Sequence, residues 1–135
     1  MNYWLVKTEP STWSWQDQLK VGTTKWDGVR NYQARNNMRA MKVGDLAFFY
    51  HSIQQKSIVG IVEVVKPFYP DPEDKTGKFG LVDVRVVQPL KHPVTLEEIK
   101  ANPQLQNLPL IRQSRLSVMP ISKSEWDILC KMGSI

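Results

Sequence analysis

Apolar positions in this chain come in short runs whose period shifts from segment to segment. Tyr3 to Val6 is a continuous apolar run, the mark of a short buried strand, and Thr8-Glu9-Pro10 ends it. Ser14 with Asp17 has the spacing of a capping box and opens a short helix to Lys20, with Gly22 as terminator. Asn31 caps a helix through about Met41, ended by Val43-Gly44-Asp45. Ala34, Met38 and Met41 fall at i, i+4 and i+7 on it and form its buried stripe. Leu46 to His51 reads as an apolar strand and Ser57 to Val65 as a second one. Pro67 to Lys78, rich in proline and mixed charge, reads as a loop. Gly80 to Leu90 alternates as a strand, with Asp83 and Arg85 set among Leu81, Val82, Val84, Val86 and Val87. Thr95 with Glu98 caps a short helix stopped by Asn102-Pro103, while Leu105 to Leu110 fits no single element. Arg115 to Met119 reads as a last strand, and Ser122 with Glu125 opens a final helix carrying Trp126, Leu129 and Cys130. Four or five strands interleaved with short helices imply an α+β fold, most economically a small closed or nearly closed barrel.

A length of 135 residues corresponds to one domain, 1–135, with enough chain to bury a core unaided. The single Cys130 permits neither an intramolecular disulfide nor a metal cluster, which favours a reducing compartment. The N-terminal apolar run is broken by Lys7 and Glu9, too early for a signal-peptide core or a membrane span. A cytoplasmic protein without a membrane partner is the expectation, and a monomer the default. The net charge of +5 is modest, but its placement is not even. Lys25, Arg30, Arg35, Arg39 and Lys42 cluster against Asp27 alone. Arg35, Arg39 and Lys42 repeat a helical spacing beside the buried stripe, as either a solvated face or a ridge that attracts phosphates.

Trp26, at an Asp27-Gly28 turn, is the best stacking plate among the five tryptophans. Trp13 and Trp126 read as core on helix faces, and Trp4 lies in a strand. Asn36 and Asn37 are poor helix formers placed mid-helix, which asks for a reason. Alternation along Phe48-Phe49-Tyr50-His51-Ser52 puts Phe48 and Tyr50 on one face, Phe49 and His51 on the other. His51 beside Ser52 suggests acid–base chemistry, yet a nucleophile needs a base and the base an orienting group. His92, the other histidine, falls in an expected loop, so His51 reads as structural or ligand-orienting. Glu9, held by Pro10 at a strand end, is placed to accept an exocyclic amine of cytosine or adenine, or is a plain turn residue. No metal-ligand spacing and no glycine-rich phosphate loop occurs, so no metal or cofactor is expected.

Taken in order, the segments YWLVKTEP, WDGVRNYQARNNMRAMKVGD, FFYHS, GIVEVV, YPDP, VDVRVV and RLSVMPIS closely resemble the EVE domain. That family is a branch of the PUA-like superfamily and a relative of the YTH domains, which read methylated adenine in RNA. The resemblance spans essentially the whole chain. Thr8 departs from it, since serine is commoner there, but the hydroxyl is kept. It implies a PUA-like mixed β-pseudobarrel of about five to six strands surrounded by short helices. It also implies a non-catalytic reader of modified bases in DNA or RNA, notably 5-substituted cytosines, or of a modified nucleoside, through an aromatic-lined pocket. Carried over by position, Trp26 is an aromatic wall, Lys7, Thr8 and Glu9 line the pocket edge, and Asn31 and Tyr32 its rim. Tyr50, His51 and Ser52 form the opposite wall, Arg115 and Ser117 support the site, and Arg30, Arg35, Arg39 and Lys42 face the nucleic-acid backbone. The alternative is a small hydrolase of nucleic acid or nucleosides, as in related ASCH-type domains, with Lys7, Glu9 and His51 as its acid–base set.

Overall fold

The computed structural model describes residues 1–135. Its strands are β1 (Tyr3–Thr8), β2 (Thr23–Trp26), β3 (Leu46–His51), β4 (Ser57–Pro70), β5 (Gly80–Thr95) and β6 (Val118–Ile121). Its helices are α1 (Trp15–Val21), α2 (Tyr32–Ala40), α3 (Leu96–Ala101), α4 (Pro109–Arg112) and α5 (Lys123–Met132), with a 3₁₀ turn at Pro103–Leu105. No helix is long and apolar enough to cross a membrane. The strands form one mixed sheet in the order β2-β5-β4-β3-β1-β6. β1 and β3 run parallel, Tyr3 opposite Leu46 and Thr8 opposite His51, and every other neighbouring pair is antiparallel.

β3 is apolar from end to end because both of its faces are covered. On one face Phe48 stacks on Trp126 of α5 at 3.9 Å between ring centroids, and Trp126 stacks in turn on Tyr3. On the other, Phe49 meets the rings of Trp15 and Trp26 edge-on at 5.1 and 5.5 Å. Gly60 of β4 makes room for this packing: a Cβ there would stand 2.3 Å from the Trp15 ring. The predicted stripe on α2 is buried as expected, with Ala34, Met38 and Met41 in the core.

β2 and β6 are the two edges of the sheet and are not bonded to each other, so the barrel stays open along one seam. α2 lies across it, packed on β6 and also on β4 and β5. Asn37 explains its place in the helix here: its Nδ2 donates to the carbonyl oxygen of Val118 at 2.7 Å. Asn36 accepts from the guanidinium of Arg35.

The three capping boxes form as expected at Ser14/Asp17, Thr95/Glu98 and Ser122/Glu125, and Asn31 caps α2. Three expectations are corrected, and one strand was not expected. Pro67 to Pro70 belongs to β4 and not to a loop; the pairing shifts between Lys66 and Tyr69, where the missing N–H of Pro67 is tolerated. β5 continues past Leu90 to Thr95, so His92 sits in a strand, and Pro89 and Pro93 fall where the ladder to β4 is irregular. The last strand starts at Val118, later than Arg115. β2 has no apolar pattern of its own and exists through its pairing with β5, Thr23 to Trp26 against Arg85 to Val82.

Polar side chains lock β3 at both ends. At its start the buried Asp45 carboxylate accepts the backbone N–H groups of Asn2 and Lys42 and the indole N–H of Trp4, each at 3.0 Å. At its end the buried His51 accepts the backbone N–H of Trp15 on Nε2 at 3.0 Å, so the proton sits on Nδ1, 3.2 Å from Gln55 Oε1. Burial pushes the Asp45 carboxyl up, but the hydrogen bonds from Asn2, Lys42 and Trp4 outweigh it and hold its pKa below the ordinary value of 3.8.

The Asp45 contribution to stability is therefore complete above about pH 4 and is lost as pH falls through the lower folded value. Asp45→Asn should destabilise by roughly 1.5–3 kcal/mol at neutral pH. It should also flatten the loss of stability below about pH 4, as checked by urea unfolding across pH. His51→Leu should cost about 1–3 kcal/mol by orphaning the Trp15 N–H. Urea titration followed by tryptophan fluorescence measures it, and an unchanged midpoint would remove His51 as the anchor of α1.

Candidate functional site

Where the two sheet edges approach each other, the surface sinks into a cavity of about 740 Å³, inside the usual range for small-ligand sites. The end of β1 supplies Lys7 and Thr8, the following loop Thr12 and Trp13, and β2 supplies Thr23, Thr24, Lys25 and Trp26. Asp27 to Arg30 and Ser117 complete the wall. The lining joins the β2 edge of the sheet to Ser117, the residue that leads into β6, so the cavity lies beside the open seam.

Each functional side chain is held by its neighbours. Thr8 Oγ1 donates to the Trp13 carbonyl oxygen at 2.9 Å, and Trp13 Nε1 donates to Gln18 Oε1 at 2.9 Å. Gln18 is fully buried and its Nε2 donates to the carbonyl of Gly22 at 3.0 Å, so the indole stands on a polar relay through α1. Trp26 presents part of a ring that is otherwise packed on Phe49; it is 7% exposed. Lys7 is half-buried, which pulls its pKa below the ordinary lysine value; its Nζ donates to the Ser114 carbonyl at 2.7 Å. Arg30 pairs with the buried Asp71 at 3.2 Å and lies over the Phe79 ring, which fixes that wall to the β4–β5 connection. Asp27 stands exposed in the wall. Two aromatic plates, two lysines, one arginine, one carboxylate and several hydroxyls thus line a single recess. Chemically it can stack a flat ring and satisfy donors and acceptors around its edge.

Of the residues singled out from the sequence, the structure brings Lys7, Thr8, Trp26, Arg30 and Ser117 to this cavity. The others lie elsewhere. Glu9 is exposed outside the lining, and its carbonyl oxygen accepts the N–H groups of Thr12 and Trp13 in the turn that aims Trp13. His51 is spent on α1, and Tyr50 and Ser52 line a second, smaller cavity shared with Lys7. Burial pushes the Tyr50 phenol up to about 12. Asn31 caps α2 and lines a surface groove with Arg115, and Tyr32 packs exposed against Phe79 and Arg35. Arg35, Arg39 and Lys42 are outside the cavity; Arg39 lies over Phe68.

The acid–base set expected of a hydrolase is not assembled. Lys7, Glu9 and His51 make no hydrogen bond to one another, and both ring nitrogens of His51 are engaged elsewhere. Trp13 corrects the opposite kind of error. It precedes α1, is partly exposed and lines the cavity, so it is no core residue of a helix face. Its position directly before the capping serine was the available signal, since a side chain there lies outside the helical stripe. Asp27 was visible in the sequence only as part of a turn.

The EVE domain family matches residues 2–132. Thymocyte nuclear protein 1 of Mus musculus is 39% identical to this chain, over 97% of it and 73% of the mouse protein. The crystal structure of human THYN1 protein in complex with 5-methylcytosine-containing DNA superposes with a TM-score of 0.90 at 36% identity, covering 100% of this chain and 99% of that one. The YTH domain of Zygosaccharomyces rouxii MRB1 protein, in complex with N6-methyladenosine RNA, shares the fold alone, with a TM-score of 0.61 at 14% identity over 98% of this chain and 86% of that one. The fold is the α+β, PUA-like pseudobarrel that the sequence motifs implied, and the chain belongs to the EVE domain family.

Proposed function

We propose that this chain is a non-catalytic reader that takes one modified base of a nucleic acid, a 5-substituted cytosine foremost, into the seam cavity. The observation that carries the reading is the recess itself: Trp13 and Trp26 beside Lys7, Asp27 and the threonine hydroxyls, with no nucleophile–base pair among them. Stacking of a base on an aromatic ring contributes roughly 1–3 kcal/mol, and Trp13 offers its ring with the least cost to the core. Asp27 is the carboxylate suited to accept the exocyclic amine of cytosine, in the role the sequence suggested for Glu9. Lys7 and the hydroxyls supply donors for the ring's acceptor atoms. The family membership supports this reading, since human THYN1, at 36% identity, is found with 5-methylcytosine-containing DNA. A methyl group adds only modest apolar contact, so preference over plain cytosine should reach about 10- to 100-fold at most.

Trp13→Ala should weaken binding of a 5-methylcytosine oligonucleotide by roughly 1–3 kcal/mol, and should lower stability by about 1–3 kcal/mol because the buried Gln18 Oε1 loses its donor. Trp26→Ala should instead cost about 3–5 kcal/mol of stability, because its ring is part of the core. Fluorescence anisotropy and thermal melts of the two variants separate these effects, and a Trp13 variant with full affinity would place the stacking wall elsewhere. Asp27→Asn should reduce the preference for cytosine over thymine at the read position. In the same experiment, mass spectrometry should recover the oligonucleotide unaltered after long incubation; a product would refute the reader assignment.

A further inference from the structure

The arginines of this chain divide sharply by what they touch. Arg30 is paired with Asp71, Arg85 with Glu63, Arg35 donates to Lys78 and Asn36 and covers Tyr32, and Arg39 lies over Phe68. Arg112 and Arg115 are different. Arg112 spends only its Nε, on the carbonyl of Gln106, which leaves both terminal nitrogens free. Arg115 is exposed and makes no hydrogen bond, ion pair or cation–π contact. Both line a polar groove of about 330 Å³ with Asn31, Gln33, Gln113 and Ser114, and no carboxylate lines it.

The groove continues the seam cavity. Arg30 and Ser117 line the cavity, and the next residue along the chain in one case and the previous one in the other, Asn31 and Leu116, line the groove. Ser114, also in the groove, accepts the ammonium of Lys7, a residue that lines the cavity. Two guanidinium groups without a carboxylate, beside amide side chains, match a phosphodiester: planar donors suited to two oxygens of one anion, and neutral donors for the ester oxygens.

We propose that this groove clamps a phosphate flanking the base held in the cavity, with Arg112 and Arg115 as the charged contacts. The ligand is then a nucleotide within a strand and not a free nucleoside. The proposal rests on the reader assignment and relocates the backbone contact from the α2 ridge, where Arg35 and Arg39 are engaged with neighbouring groups, to the segment preceding β6.

The test uses the full chain and measures affinity across a salt series for four probes. These are a single-stranded oligonucleotide with one 5-methylcytosine, its unmodified counterpart, the same modified strand with neutral methylphosphonates flanking the modified base, and 5-methyl-2′-deoxycytidine. In the Arg112→Gln/Arg115→Gln double variant the salt slope for the modified strand should fall by about two, while nucleoside affinity stays as in the parent. Lys131→Gln, an equal charge change on α5, should leave the slope unaltered, and Arg115→Lys should retain most of it. The methylphosphonate strand should bind the parent as weakly as the modified strand binds the double variant. A modified strand still preferred over the plain one, but with an unchanged slope in the double variant, overturns the clamp and leaves the reader standing. Equal binding of modified and plain strands, with the slope lost in the variant, keeps the clamp and removes the base reading instead.

Discussion

The parallel pairing of β1 with β3 is the constraint on which the other features depend. Parallel neighbours cannot be joined by a tight turn, so the chain must leave the sheet and return by a long crossover. In this protein the crossover runs from Glu9 to Asp45 and carries α1, β2 and α2. All but three residues of the seam cavity's lining come from it; the exceptions are Lys7 and Thr8 on β1 and Ser117 before β6. The register of the pair is held at the start of β3 by the Asp45 carboxylate, which gathers Asn2, Trp4 and Lys42. At its end it is held by His51, which takes the N–H of Trp15 and so sets the start of α1 beside the mouth of the cavity. Both anchors are buried, which makes each satisfied bond worth keeping and each broken one costly.

Because the barrel never closes, its two edges face each other across a gap instead of pairing. Edge strands with free backbone groups invite association, and here α2 lies over the seam and gives Val118 a side-chain partner in Asn37. What remains uncovered is the recess beside β2. The aromatic residues follow the same division. Those against β3 are consumed by packing, with Phe48 and Trp126 stacked and Phe49 edge-on to Trp15 and Trp26. Trp13, hung on Thr8 and Gln18 outside the core, keeps a ring available to a ligand. The charged groups divide likewise. Most arginines are matched within the chain, and the unmatched ones collect in the groove that prolongs the recess.

Local chemistry was readable along the chain, and the reason is range. A capping box needs only residues three apart, so the caps at Ser14, Thr95 and Ser122 could be found from spacing. The buried stripe Ala34, Met38, Met41 and the apolar strand Leu46 to His51 follow from periodicity over a few residues. The motif segments identified the family and, through it, the rolled sheet. Of the residues they assigned to the site or its surroundings, Lys7, Thr8, Trp26, Arg30 and Ser117 line one cavity. Elements whose existence depends on a partner were not readable. β2, with the sequence TTKW, is a strand only because β5 bonds to it, and β4 and β5 outrun their apolar patterns because each supports the other past its prolines.

The sequence by itself determined the fold class, the family, the helix starts and a core of residues with regular apolar period. Tertiary structure alone decided which polar groups are spent inside the protein and which are left for a ligand. His51, Asn37 and Arg35 looked free in the sequence, but their partners stand far along the chain, and the bonds to Trp15, Val118 and Lys78 use them up, while Glu9 is exposed outside the recess. Trp13, Asp27 and Arg112 looked ordinary, Arg115 was expected only to support the site, and these are the ones left facing the recess or the groove. A hydrogen-bonding group is available for recognition only when folding has not already satisfied it, and satisfaction is a property of three-dimensional neighbours rather than of residue type.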